Sequence, residues 1–356
     1  MSIYWNETTS KIIPYVPGEQ PQDKKYIKLN TNENPYPPSP KVIEAINSAA
    51  CDTLRLYPDP ECKILKEAIA AYYNVGIENI FAGNGSDEIL AFCFMAFFDE
   101  QKPVKFADIT YSFYNVYADF FKVPYEIVPL NQDFSLPVEK FATSEEPFRQ
   151  AGIIVANPNA PTGMAVDIND IERIAAANQN SVVIIDEAYV DFGCESAVQL
   201  TKKYPNILVI HTLSKSRSLA GLRAGFAIGS AELIEGLERV KNSFNSYTLD
   251  RIAIAAAAAA LKDVEYFEMI RKKIIHTREK FSKDLAQLGF KVIPSSANFV
   301  FVSHGTFKAD FLFQELKNRG ILVRYFKKPG IDNYLRITIG TDEEMDTVVE
   351  TIKDMK

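Results

Sequence analysis

From about residue 40 to 240 the chain alternates short apolar runs with longer stretches whose apolar positions recur at helical spacing. The runs predict strands at Val104–Ile109, Tyr125–Pro129, Gly152–Ala156, Ser181–Asp186, Asn206–His211 and Arg223–Gly229. Several are apolar throughout rather than alternating, which suits strands covered on both faces. Between them the pattern predicts helices at Lys41–Ala50, Glu61–Asn74, Ser86–Phe98, Ser112–Phe121 and Asp167–Asn178. Strand and helix in succession predict an α/β fold with a large, doubly wound, mainly parallel sheet.

After residue 245 the texture changes. A single helical stretch is expected from Asp250 to Leu288, then an extended segment at Lys291–Ser303 and a helix at Lys308–Arg319. Strands at Ile321–Tyr325 and Leu335–Ile339 and a last helix from Asp342 complete the pattern. Alternation within Tyr334–Ile339 fits an antiparallel strand with one wet face. Residues 1–40 read as an N-terminal arm that joins a small domain, 41–245 as the large α/β domain, and 246–356 as a smaller α+β domain.

Composition narrows the classes. A chain of 356 residues, 47% hydrophobic and 24% charged, is neither disordered nor fibrous. Its net charge is −7 and its Lys and Arg are scattered, so a nucleic-acid partner has little electrostatic support. The cysteines, Cys51, Cys62, Cys93 and Cys194, make no CxxC pair, and no metal site is expected. Apolar runs reach ten residues, at Ile89–Phe98 and Ile252–Leu261, half of the ~20 that span a bilayer. No apolar segment follows the first positive charge, Lys11, as a secretory signal would require. A cytoplasmic protein that handles small molecules is the expectation.

The candidate chemistry sits where predicted strands end, the edge at which parallel α/β sheets bind ligands. Thr212-Leu213-Ser214-Lys215 follows one apolar run and is trailed by Gly221-Leu222-Arg223-Ala224-Gly225. A lysine there is costly unless used, and a hydroxyl and a guanidinium beside it suit a phosphate. Ile184-Ile185-Asp186-Glu187-Ala188-Tyr189 ends a second run, and Asp186 could hold a metal, cap a helix or pair with a protonated ring nitrogen. Asn157-Pro158-Asn159-Ala160-Pro161-Thr162-Gly163 follows a third as turn chemistry. Gly83-Asn84-Gly85-Ser86-Asp87-Glu88 opens a helix, with Ser86 expected at the cap and free N–H groups as an anion site. It matches neither a dinucleotide-binding fingerprint nor a Walker A loop, which counts against a dehydrogenase or a nucleotide enzyme.

These runs join others in order: Pro14-Tyr15-Val16-Pro17-Gly18, Leu29-Asn30-Thr31-Asn32-Glu33-Asn34-Pro35, Arg55-Leu56-Tyr57-Pro58-Asp59-Pro60, Ala297-Asn298-Phe299, Gly320-Ile321-Leu322-Val323-Arg324 and Leu335-Arg336-Ile337-Thr338-Ile339-Gly340. Together they resemble the fold type I pyridoxal-phosphate aminotransferases over nearly the whole chain. The resemblance implies transamination between a small amino donor and a keto acid, with pyridoxal 5'-phosphate as cofactor. It implies that Lys215 bonds the cofactor aldehyde and moves the substrate proton, and that Asp186 keeps the ring nitrogen protonated. Tyr189 and Asn157 would hold the phenolic oxygen, and Tyr111 would stack on the ring. The phosphate would lie on the Ser86 and Asp87 amides after Gly85, with Ser214 and Arg223. Tyr57 would reach it from a neighbouring subunit, hence a homodimer. Arg336 would hold a substrate carboxylate and Arg324 the phosphate of a phosphorylated donor, with Asn34 and Tyr15 in the same pocket. Departures from the family pattern are Ala160 for a second asparagine, Ile109 for a proline, and Ser216-Arg217 after the lysine. Members acting on aromatic amino acids, or decarboxylating a phosphorylated threonine, share the cofactor residues, as would a non-catalytic cofactor binder.

Overall fold

Strands covered on both faces need helices above and below, and the chain provides both layers. The computed structural model describes residues 3–15, 18–21, 23–143 and 152–355; Val16 and Pro17 of the Pro14–Gly18 run lie outside them. After β1 (Ile27–Lys28), the strands β2 (Ile80–Gly83), β3 (Val104–Ala107), β4 (Tyr125–Val128), β5 (Gly152–Ala156), β6 (Val182–Asp186), β7 (Ile207–Thr212) and β8 (Gly225–Gly229) follow. The last seven of these form one sheet in the order β2-β8-β7-β6-β5-β3-β4. All run parallel except β8, which is antiparallel to β7 and β2.

The helices of this part are α1 (Glu7–Lys11), α2 (Pro40–Ala49), α3 (Lys63–Tyr73), α4 (Gly85–Phe97), α5 (Phe113–Phe121), α6 (Val138–Phe141), α7 (Ile168–Ala177) and α8 (Ala231–Phe244). Next come α9 (Arg251–Lys262) and α10 (Val264–Gln287). Alternate strand residues divide between two cores. Ile154, Ile184 and Leu208 pack with Leu90, Tyr114 and Leu237 of α4, α5 and α8. Val155, Ile185 and Val209 pack with Ile69, Ile174 and Ala257 of α3, α7 and α9. That division is why the strand sequences show no alternation.

Beyond α10, β9 (Phe290–Ile293), β10 (Phe299–His304), β12 (Arg324–Tyr325) and β13 (Leu335–Thr338) form an antiparallel sheet in the order β12-β13-β10-β9. α11 (Ala309–Asn318) and α12 (Asp342–Lys353) belong to this part, and β11 (Ile321–Leu322) pairs with β1, tying the N-terminal segment to it.

The structure departs from the sequence expectations at several places. β2 and α8 were not anticipated; β2 has only four residues. The extended segment Lys291–Ser303 is a hairpin, β9 and β10. The long helical stretch breaks at Asp263, whose backbone leaves the helical region (ψ 67°) and whose carboxylate takes Lys41 at 2.8 Å. Asp competes for such backbone-terminating positions, and here it ends α9. The alanines of α9, assigned by sequence to residues 246–356, pack in the core of the large sheet. No helix among the described residues is long and apolar enough to cross a membrane.

Candidate active site

The carboxyl ends of β5, β6 and β7 open onto one cleft of about 580 Å³, solvent space included, lined by Ser86, Asp87, Tyr111, Asp186, Tyr189, Ser214, Lys215 and Arg223. A second cleft shares Tyr111, Tyr189 and Lys215 and adds Tyr15, Arg324 and Arg336. The parallel sheet therefore gathers residues more than 100 positions apart, because each strand that points the same way ends at the same edge, and the N-terminal segment and the antiparallel sheet add Tyr15, Arg324 and Arg336.

One end of the first cleft is a cradle for an anion. α4 starts at Gly85, with Asn84 at the N-cap and no side chain bonded to the first-turn amides. Ser86, expected at the cap, instead lies inside that turn, which leaves the Ser86 and Asp87 amides facing the cleft end of the helix. Gly85 has φ +77°, and a Cβ there would stand 2.7 Å from a guanidinium nitrogen of Arg223. A Cβ on Gly225 would stand 2.9 Å from the Ser86 nitrogen. Both glycines let the backbone close around this point. Arg223 donates to Asp87 Oδ2 at 3.0 Å and to Ser214 Oγ at 3.3 Å, and Tyr111 donates to Asp87 Oδ1 at 2.8 Å.

Asp186 lies buried at the other end. Tyr114 donates to its Oδ2 at 2.6 Å and the Ala188 amide to its Oδ1 at 3.3 Å. Burial pushes the carboxyl up from its ordinary 3.8 to about 6, against the opposing pull of those two hydrogen bonds. Tyr114 was missed by the sequence reading. Its signal was available: a tyrosine at a core position of α5 needs a partner for its hydroxyl.

Lys215 Nζ donates to the Thr31 carbonyl at 3.2 Å and lies 5.9 Å from the Tyr189 ring centre. The Tyr189 hydroxyl accepts from Asn32 Nδ2 at 2.9 Å, another contact the sequence reading did not foresee. Asn157 stands between Ala156 and Pro158, both of which line the cleft. Its side chain is taken up by the backbone of Val166, accepting from its N–H at 2.8 Å and donating to its carbonyl at 3.4 Å. The cleft wall there is formed by Pro158 and Ala160. Asn34 is likewise absent from the lining; it donates to the Lys215 carbonyl at 3.1 Å and so steadies the lysine's backbone.

Arg324 and Arg336 are direct cross-strand partners on β12 and β13. Among the described residues neither pairs with a carboxylate. Arg336 donates to the Asn30 carbonyl at 3.0 Å, while its Nε is buried with no partner. Burial lowers its guanidinium from the ordinary value, and Arg324 adds to the effect. Tyr15 packs on Phe113, ring centres 4.5 Å apart. Tyr57 lies outside both clefts, 76% exposed and stacked on Tyr247 at 4.7 Å.

The family model for aminotransferases of class I and II matches residues 24–352. A histidinol-phosphate aminotransferase of Clostridium acetobutylicum is 60% identical over 354 residues, 99% of each chain. One from Clostridium beijerinckii is 56% identical over 353 residues, covering 99% of this chain and 97% of the relative. The crystal structure of histidinol-phosphate aminotransferase from Sinorhizobium meliloti in complex with pyridoxal-5'-phosphate superposes with a TM-score of 0.89 at 25% identity, over 100% of this chain and 99% of that one.

Proposed function

Because the chain belongs to the class I and II aminotransferases, we propose that it moves the amino group of L-histidinol phosphate to 2-oxoglutarate, a reaction of histidine biosynthesis, with pyridoxal 5'-phosphate as cofactor. The observation that carries this reading is the convergence of Lys215, Asp186 and Arg223 on one cleft, with Arg324 and Arg336 lining its extension.

The donor set fits the cofactor. First-turn amides, Ser214 and Arg223 suit the phosphate, a buried carboxyl suits the ring nitrogen, and a lysine suits the aldehyde. When bound, the pyridoxal group supplies an electron-withdrawing ring conjugated to the substrate's Cα. Lys215 Nζ takes the Cα proton of the amino donor and returns one to Cα when the keto acid is aminated. Asp186, held by Tyr114, would supply the counter-charge to a protonated ring nitrogen. Tyr111 would stack on the ring, and the Tyr189 hydroxyl would hydrogen-bond the phenolic oxygen. Arg336 takes the carboxylate of glutamate, and Arg324 with Tyr15 takes the phosphate of the other donor.

The working unit is a homodimer in which Tyr57 reaches the partner's phosphate site. Its exposure supports this, as does that of Leu54, Leu56, Phe244 and Tyr247. Four free thiols accord with the reducing cytoplasm. A panel of amino donors with purified protein and cofactor tests the substrate. Histidinol phosphate should give the highest kcat/KM; preference for phenylalanine, or release of carbon dioxide from threonine phosphate, overturns the substrate while leaving the fold reading intact.

A further inference from the structure

The Tyr189 hydroxyl sits at the end of a hydrogen-bond chain whose direction can be worked out atom by atom. The Asn32 backbone N–H, which can only donate, gives its hydrogen to Thr338 Oγ1 at 3.0 Å. The Thr338 hydroxyl, buried at 2% exposure, has Asn32 Oδ1 as its acceptor at 3.0 Å. Turning the Asn32 amide over would face Nδ2 to that hydroxyl and leave its proton without an acceptor. An unsatisfied buried donor costs ~1–3 kcal/mol, so the observed orientation is enforced. The Asn32 carbonyl is held as well, by Asn298 Nδ2 at 3.0 Å. Nδ2 therefore points to Tyr189 as a donor, at 2.9 Å.

Consequently the Tyr189 oxygen receives a hydrogen and must send its own elsewhere. Among the described residues it has no acceptor, and it lines the cleft beside Lys215. On the neighbouring wall the Asn157 oxygen accepts from the Val166 N–H at 2.8 Å, and position 160 offers only a methyl group.

We propose that Asn32, locked by Thr338, is a positioning residue that fixes the Tyr189 hydroxyl as a donor into the cleft, toward the cofactor's phenolic oxygen. The proposal rests on the pyridoxal-phosphate reading above. It also links the N-terminal segment and β13 to the cofactor, so a residue more than 150 positions from Tyr189 governs the charge on the phenolic oxygen.

The test is a spectroscopic pH titration of the cofactor bound at Lys215, which needs no turnover. A donor to the phenolic oxygen draws off negative charge and lowers the apparent pKa of the cofactor's nitrogen link to the lysine. Tyr189→Phe should raise that value by about one pH unit or more, the worth of a hydrogen bond to a charged oxygen. Asn32→Asp accepts the tyrosine proton instead of donating to it and should raise the value as far as Tyr189→Phe does. Thr338→Val keeps the volume, frees the amide to turn, and should give a smaller rise of the same sign. Adding Asn32→Asp to Tyr189→Phe should then change little. Three results overturn the proposal: Thr338→Val and Asn32→Asp titrating as wild type, an undiminished Asn32→Asp effect in the Tyr189→Phe background, or variants whose cofactor-free thermal midpoint falls with no change in titration. A wild type that binds no cofactor overturns the underlying reading as well, whereas normal binding with unmoved variants removes this proposal alone.

Discussion

Replacing Asp186 by asparagine removes a carboxyl that the fold buries in advance of its partner. The unfolded chain ionises it near 3.8, the folded chain near 6. Below about pH 3.8 both states hold the proton and the group favours neither. Between 3.8 and 6 the unfolded chain loses its proton first, so folded stability falls as pH rises, and above about 6 the loss is complete. A gap of about 2.2 pH units is ~3 kcal/mol at 1.36 kcal/mol per unit. Cofactor-free Asp186→Asn should escape this loss, apart from a change in the Tyr114 hydrogen bond, which an amide oxygen can still accept. The measurement is urea unfolding of the cofactor-free proteins from pH 5 to 8. Because about half of the effect is already spent below pH 5, the wild type should lose ~1.4 kcal/mol relative to the variant across that range, nearly all of it before pH 7. With cofactor bound, the order should reverse: the variant binds it more weakly and turns over ~10²–10³-fold more slowly, as loss of a preorganised charge does. Parallel stability curves for the two cofactor-free proteins would show that Asp186 is ionised without strain and that its burial has been misjudged.

Lys215→Ala should abolish transamination, and borohydride should fix cofactor mass on the Lys215 peptide of the wild type; mass on any other lysine removes the assignment. Arg324→Lys keeps the charge but loses the planar fork, so it should raise KM for histidinol phosphate more than for glutamate, with equal losses in separate half-reactions counting against it. Tyr57→Phe should weaken cofactor binding about tenfold, by one hydrogen bond to phosphate. Mixing it with Lys215→Ala subunits should restore wild-type affinity in one site per hybrid dimer, and no restoration would mean that Tyr57 acts within its own chain.

Strand ends were legible in the sequence because apolar runs such as Ile207–Ile210 stop abruptly at polar, glycine-marked loops. Lys215 and Asp186 follow from that alone, since the parallel strands β6 and β7 leave them no other edge, whereas Arg223 reaches the same edge because it precedes β8, which runs antiparallel. Which side chain of a loop faces the cleft was not legible. Asn157, Pro158 and Ala160 share one turn, and backbone direction, not residue type, sends the amide to Val166 and the methyl group to the cleft. Ser216-Arg217 departs from the family pattern after the lysine, and Arg217 points into the core. Its guanidinium lies 3.4 Å from the Phe267 ring centre and donates to the Ala260 carbonyl at 2.8 Å. Asn34 and Asn32 sat in one motif, but these contacts lie 157 to 306 positions away, beyond any local pattern.

The charges of the joined clefts explain why two chemically different donors can share them. Among the described residues that line the clefts, Lys215, Arg223, Arg324 and Arg336 outnumber the carboxylates Asp87 and Asp186, in a chain whose net charge is −7. Arg223 already has Asp87 at 3.0 Å, and Asp186 is buried, with Tyr114 donating to it at 2.6 Å. The excess is therefore concentrated on Arg324 and Arg336, set directly opposite each other, an arrangement that is unfavourable in a sheet without a counter-ion. A phosphate or a carboxylate bound between them relieves that repulsion, whichever donor carries it. On the roles proposed for Arg324 and Arg336, binding energy would come from the phosphate or carboxylate that each substrate brings, and the fold leaves that counter-charge for the substrate to supply.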